Sequence, residues 1–141
     1  MVDVVTLDGV LGRDVAVRML ASDAEGNEPA ILKGAEERLR RDRPILVLEA
    51  SETLLRRSHA TLGDLAGGLE RHGYHVHRIG RWGLEPPDGR PANWLALSPT
   101  DAPLASKIHR AIRRQALSPF WLQVREPPRA TGATGRAPSV P

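Results

Sequence analysis

The sequence predicts an α/β domain with a mostly parallel sheet and an antiparallel hairpin at one edge. Three observations carry this. Strand-like and helix-like patterns alternate along residues 2–79, the order expected of helices packed on a sheet. Ile45-Leu46-Val47-Leu48 is a continuous apolar run between Pro44 and Glu49, the pattern of a strand buried on both faces. The last two strand signals, Tyr74–Ile79 and Trp94–Leu97, are joined by a Gly- and Pro-rich loop without helical periodicity, which favours antiparallel pairing.

Taken in order, Val2, Val4, Val5 and Leu7 read as a strand or extended lead-in, broken at Asp8-Gly9. Val15–Leu20 is a second short apolar run that ends in the polar cluster Ser22–Glu28. A helix is predicted next, with Asn27 as its cap, Pro29 in its first turn and Pro44 as its stop. Both opening residues suit a helix start, where the first N–H groups lack partners. Leu32, Ala35 and Leu39 form its apolar stripe, with Glu36, Glu37, Arg38, Arg40 and Arg41 on the remaining face. After the central strand, Thr61 and Asp64 have the spacing of a capping box, and Leu62, Leu65 and Leu69 make a second stripe. Gly73 is placed to end that helix in a left-handed turn.

Composition bounds the function classes. The chain has 141 residues, enough for one domain with a core. It has no cysteine, which excludes disulfides, thiolate metal sites and a cysteine nucleophile. No apolar run approaches the roughly 18 residues that cross a bilayer, and Met1-Val2-Asp3-Val4 does not open a signal peptide, so a cytoplasmic protein is expected. The net charge of +3 hides a segregation: residues 1–103 carry 13 Lys or Arg against 16 Asp or Glu, while residues 104–141 carry 7 against 1. No nucleic-acid role is expected of the domain itself. Three segments follow: an α/β domain over 1–103, a basic helix with an apolar cluster over 104–126, and a disordered tail over 127–141. In the second, Lys107, Arg110, Arg113 and Arg114 alternate with Leu104, Ile108, Ala111 and Ile112 at helical spacing. That pattern suits either a helix docked on the domain or one meeting an anionic surface.

Ligands in open α/β sheets bind beyond the carboxyl ends of the strands. Asp23 follows one predicted strand and Glu49 ends the next; if the strands are neighbours, both carboxylates face one crevice. Glu25 and Glu28 add acid there. Such a group can orient a hydroxyl, act as general base or hold a metal. The plainer reading is that Asp23, Glu25 and Glu28 precede a helix, whose dipole stabilises negative charge by roughly 0.3–1 kcal/mol. Spacing alone leaves both open. His72, His75 and His77 are read as surface histidines, because His72 belongs to a helix end and the three need not converge. No Gly-x-Ser-x-Gly elbow is present.

The stretch Ser22-Asp23-Ala24-Glu25-Gly26-Asn27-Glu28, followed by Ala30-Ile31-Leu32-Lys33-Gly34-Ala35, resembles the signature of FkbM-type methyltransferases. In that signature Asp, any residue, Glu-Gly, any residue and Glu precede Leu-Lys-Gly-Ala. Val5-Thr6-Leu7-Asp8, Arg43-Pro44-Ile45-Leu46-Val47-Leu48-Glu49, Gly73-Tyr74 and Asn93-Trp94-Leu95-Ala96 match further segments in order, so the resemblance spans about residues 3–98. The family usually has a Lys and an aliphatic residue before the Asp, where this chain has Ala21 and Ser22.

The resemblance implies a Rossmann-like fold and transfer of a methyl group from S-adenosylmethionine, typically to the oxygen of a small-molecule or carbohydrate-like hydroxyl acceptor. By position it implies catalytic roles for Asp23, Glu25 and Glu49, with Glu28 as helix support. The family holds its cofactor on a Gly-rich turn after its first strand and an acid at the end of its second. Both are expected to be missing here, as from the C-terminal half of such a domain that is inactive alone. The alternative expectation is a non-catalytic remnant that binds a partner or self-associates through an exposed sheet edge.

Overall fold

The computed structural model describes residues 3–117. The predicted apolar cluster at Phe120-Trp121-Leu122 and the tail over 127–141 lie outside the described residues. A five-stranded sheet is formed by β1 (Met19–Ser22), β2 (Ile45–Ala50), β3 (His75–Gly80), β4 (Gly83–Glu85) and β5 (Ala92–Leu97), in the spatial order β1-β2-β5-β3-β4. The helices are α1 (Leu7–Val10), α2 (Glu28–Lys33), α3 (Glu36–Arg41), α4 (Glu52–Leu55), α5 (Leu62–Arg71) and α6 (Ala102–Leu117).

The α/β class holds, but the sheet is mostly antiparallel. Only β1 and β2 pair in parallel, whereas β5 pairs antiparallel with both β2 and β3, and β4 with β3. The physical reason is the place of β5. It inserts between β2 and β3, which run in the same direction, and so replaces one parallel contact by two antiparallel ones. The predicted pairing of the last two strand signals is present, yet β5 is interior. The edge belongs to β4, a three-residue strand from the segment read as loop.

Two further expectations are corrected. Residues 3–6 form no strand, and Leu7–Val10 is a helical turn capped by the Thr6 side chain. The helix expected over 27–43 is two helices, broken at Gly34-Ala35. Its second half is capped from a distance: Asp8 accepts from the backbone N–H groups of Glu37 (2.8 Å) and Arg38 (3.2 Å). Asn27 precedes α2 without a side-chain cap bond, while Pro29 does occupy its first turn.

The core lies between the sheet and α2–α5. Leu46, Leu48, Ala50, Trp94 and Ala96 on one sheet face meet Leu32, Ala35, Leu39, Leu55, Leu65 and Leu69. Thr61 and Asp64 form the expected capping box, and Gly73 takes φ 73° after α5. Arg38, placed by its pattern on the polar face, is instead 1% exposed. Its guanidinium donates to the carbonyls of Leu11, Gly12 and Val15, pinning the loop that leads into β1.

β2 is not buried on both faces. Leu46, Leu48 and Ala50 are buried, whereas Ile45, Val47 and Glu49 are only partly so. The second face is open above β1 and β2, where Met19 is 57% exposed, and α6 lies along the far edge against β4. There the His109 Nδ1 accepts from the Leu84 N–H at 3.2 Å, taking the place of a further strand. A Cβ on Gly83 would come within 2.5 Å of that ring, so this close approach needs glycine.

Candidate functional site

The site grows from the β1–β2 ladder. Ser22 lies opposite Leu48 in the parallel register, so Asp23, one residue on, reaches the level of Glu49. Side chains alternate along strands. Glu49 therefore belongs to the open face with Ile45 and Val47, away from the helical core. Asp23 is exposed and Glu49 half-buried.

The turn after β1 is held in one shape. Glu28, 1% exposed, bends back so that its Oε1 accepts from the Ala24 N–H at 2.8 Å. Gly26 takes φ 102°, and an added Cβ there would lie 2.2 Å from the Leu54 carbonyl oxygen. The Ser58 hydroxyl donates to the Gly26 carbonyl. Glu25 adopts φ 53°, an uncommon conformation for a long side chain, and non-glycine residues held this way recur where surrounding structure over-determines the backbone. Its carboxylate lies 3.9 Å from Arg57, both groups well exposed.

Electrostatics single out Glu49. Burial pushes its carboxyl above the ordinary value of 4.5, and the charge of Asp23, followed by those of Glu25 and Glu28, raises it further. Glu49 Oε2 is buried without a hydrogen-bond partner among the described residues. The geometry thus brings Asp23 and Glu49 together, leaves Glu25 at the rim facing Arg57, and makes Glu28 a support for the turn.

Sequence reasoning did not single out Arg57 or Ser22, whose hydroxyl is buried without a partner beside the site. No local pattern marks Arg57. Ser22 was visible only as the residue standing in a place the family fills differently. Among the described residues no group of three or more His, Asp or Glu side chains is arranged to hold a metal.

A sheet backed by helices on one face, with carboxylates at the ends of its two parallel strands, defines an α/β domain. The model of the methyltransferase FkbM domain matches residues 1–76, and the chain belongs to that family. The match takes in the Asp23–Ala35 stretch and Glu49 and stops at Val76, short of β4, β5 and α6. Neither the curated proteins nor the solved structures include a match.

The family generally uses S-adenosylmethionine, and the described residues do not fit that group. Gly26 is the only glycine in the turn between β1 and α2, and the space its missing Cβ frees is filled by the Leu54 carbonyl rather than open to a ligand. Gly67 and Gly68 lie inside α5, and Gly83 is taken up by His109. None forms a cradle at a strand-to-helix turn.

Proposed function

We propose that this chain supplies the acceptor side of an FkbM-type methyl transfer to a hydroxyl oxygen, within a Rossmann-like arrangement of which β1–β5 form one part. The observation that carries the reading is the Ser22–Leu48 register, which sets Asp23 beside Glu49 on the open face. In such a reaction S-adenosylmethionine supplies the methyl group. The protein's task is to hold the acceptor hydroxyl and receive its proton. Asp23, exposed, orients the hydroxyl. Glu49, with its raised proton affinity, accepts the proton. Glu25 contributes negative potential at the rim, and Glu28 keeps the turn in place.

Within this reading, residues 3–117 bind S-adenosylmethionine weakly or not at all, because no turn among them cradles it. The acceptor is a small, hydroxyl-rich molecule of carbohydrate type, since a solvent-open pair of carboxyls suits hydroxyl donors. A cytoplasmic setting agrees with the lack of cysteine and with the finding that no helix among the described residues is long and apolar enough to cross a membrane.

The test is a nuclear magnetic resonance titration of the chain with methyl glucoside as a simple polyhydroxyl probe. Shifts confined to residues 22–28 and 48–50, and lost in Asp23→Asn and Glu49→Gln, are expected. Shifts that persist in both variants, or fall elsewhere, contradict the assignment.

A second reading rests on the β1 edge. This strand ends the sheet, and its Met19 is 57% exposed. Unpaired strand edges with apolar neighbours invite pairing, so self-association through β1 is the alternative role.

A further inference from the structure

The helix α6 carries a charge pattern that methyl transfer does not use. At 100° per residue, Lys107, Arg110, Arg113 and Arg114 share one side, and all four are exposed. The opposite side, Leu104, Ala105, Ile108, His109, Ile112 and Ala116, is partly buried, in agreement with docking against β4. Ala102–Leu117 contains no acidic residue. None of the four cations takes part in an ion pair among the described residues. The helix therefore turns its apolar stripe to the domain and a row of uncompensated positive charge to solvent.

We propose that this face of α6 binds an anionic phospholipid surface and holds the domain against it. Charge complementarity supplies the attraction, since each Lys or Arg near such a surface strengthens binding several-fold. The neighbouring apolar groups decide between polyanions. Leu117, at the end of the helix, is 67% exposed, and the sequence continues into Ser118-Pro119-Phe120-Trp121-Leu122. Large apolar and aromatic residues next to cations suit the boundary between headgroups and acyl chains. A nucleic-acid backbone would satisfy the cations and leave the exposed Leu117 in water.

The sheet order separates this face from the acid pair. β4 and β1 are opposite edges, about 19 Å apart at the usual strand spacing. That exceeds the Debye length of about 8 Å at physiological salt. Asp23, Glu25 and Glu49, at β1 and β2, consequently do not cancel the attraction.

The experiment is co-sedimentation of the full 141-residue chain with vesicles of phosphatidylcholine alone or doped with phosphatidylserine. Binding to the anionic vesicles only, released by high salt, is expected. The combined K107E/R110E/R113E/R114E variant should bind roughly a hundredfold more weakly or worse. Should circular dichroism show that variant unfolded, the milder K107Q/R110Q pair still predicts a loss of roughly tenfold. Equal binding to neutral vesicles, no binding to anionic ones, or unchanged binding by a folded variant overturns the proposal. So does mixed-sequence duplex DNA that strips the protein from the vesicles at matched phosphate concentration.

Discussion

Asp23 stands one step beyond Ser22, whose ladder partner is Leu48, and its charge helps push the adjacent Glu49 carboxyl above its ordinary range. The relationship comes from a parallel register, so it depends on backbone pairing more than on side-chain flexibility.

One consequence is a pH-dependent cost to folding. A carboxyl whose folded pKa is raised binds its proton more tightly in the native state. The stability this gives is fully present below the unfolded value and is lost as pH rises through the folded one. At neutral pH the ionised Glu49 therefore opposes folding. Glu49→Gln should raise the melting temperature at pH 7, and the gap to the parent should close as the pH falls below about 4.5. A scan across pH checks both the sign and the window.

Arg38 makes the opposite case, a buried charge that the fold requires. Its neighbours are the carbonyls of Leu11, Gly12 and Val15, with Asp8 at 3.6 Å and Asp42 at 3.7 Å. Removing the guanidinium leaves the Leu11 and Gly12 carbonyls without this donor and Asp8 and Asp42 without a buried counter-charge. Arg38→Met should cost about 3 kcal/mol, measured by urea denaturation.

Gly26 is fixed by conformation and by space. Alanine there adopts a left-handed backbone and meets the Leu54 carbonyl. Gly26→Ala should lose at least about 2 kcal/mol, from strain and forced repacking together. Because the same turn carries Asp23, the variant should also disturb the titration of Glu49.

The β1 edge gives a concentration-dependent expectation. If that edge pairs with a second copy, sedimentation velocity should show a dimer that Met19→Lys abolishes, since a charge on an edge strand blocks pairing. A species that stays the same size in the parent and the variant would rule out this route of association.

Much of the local structure was legible in the sequence because its causes are local. The Thr61–Asp64 capping box, the Gly73 turn and the Leu32, Ala35 and Leu39 stripe each follow from residues a few positions apart, and all are present. What was not legible depends on distant partners. The break between α2 and α3 is tied to Asp8, which caps the second helix from about thirty positions upstream. Arg38 reads as a polar-face residue until the carbonyls of the Leu11–Val15 loop converge on it. The antiparallel character of the sheet comes from β5 inserting beside β2, a choice that no run of apolar residues encodes.

The site was legible in the same uneven way. Asp23 and Glu49 were expected to share a crevice only if their strands were neighbours, and the β1–β2 ladder makes them so. Glu25 matched the family signature as well as Asp23 did. Yet its left-handed backbone sets its carboxylate at the rim near Arg57, a detail that depends on Gly26 packing against α4.

The most direct test of the account is a carboxyl titration of Glu49 by nuclear magnetic resonance, in the parent chain and in Asp23→Asn. The account predicts that Glu49 titrates above its ordinary 4.5 in the parent and moves back toward that value when the Asp23 charge is removed. A Glu49 that titrates at the ordinary value in the parent, or that ignores the loss of Asp23, would show that the two carboxyls are not coupled.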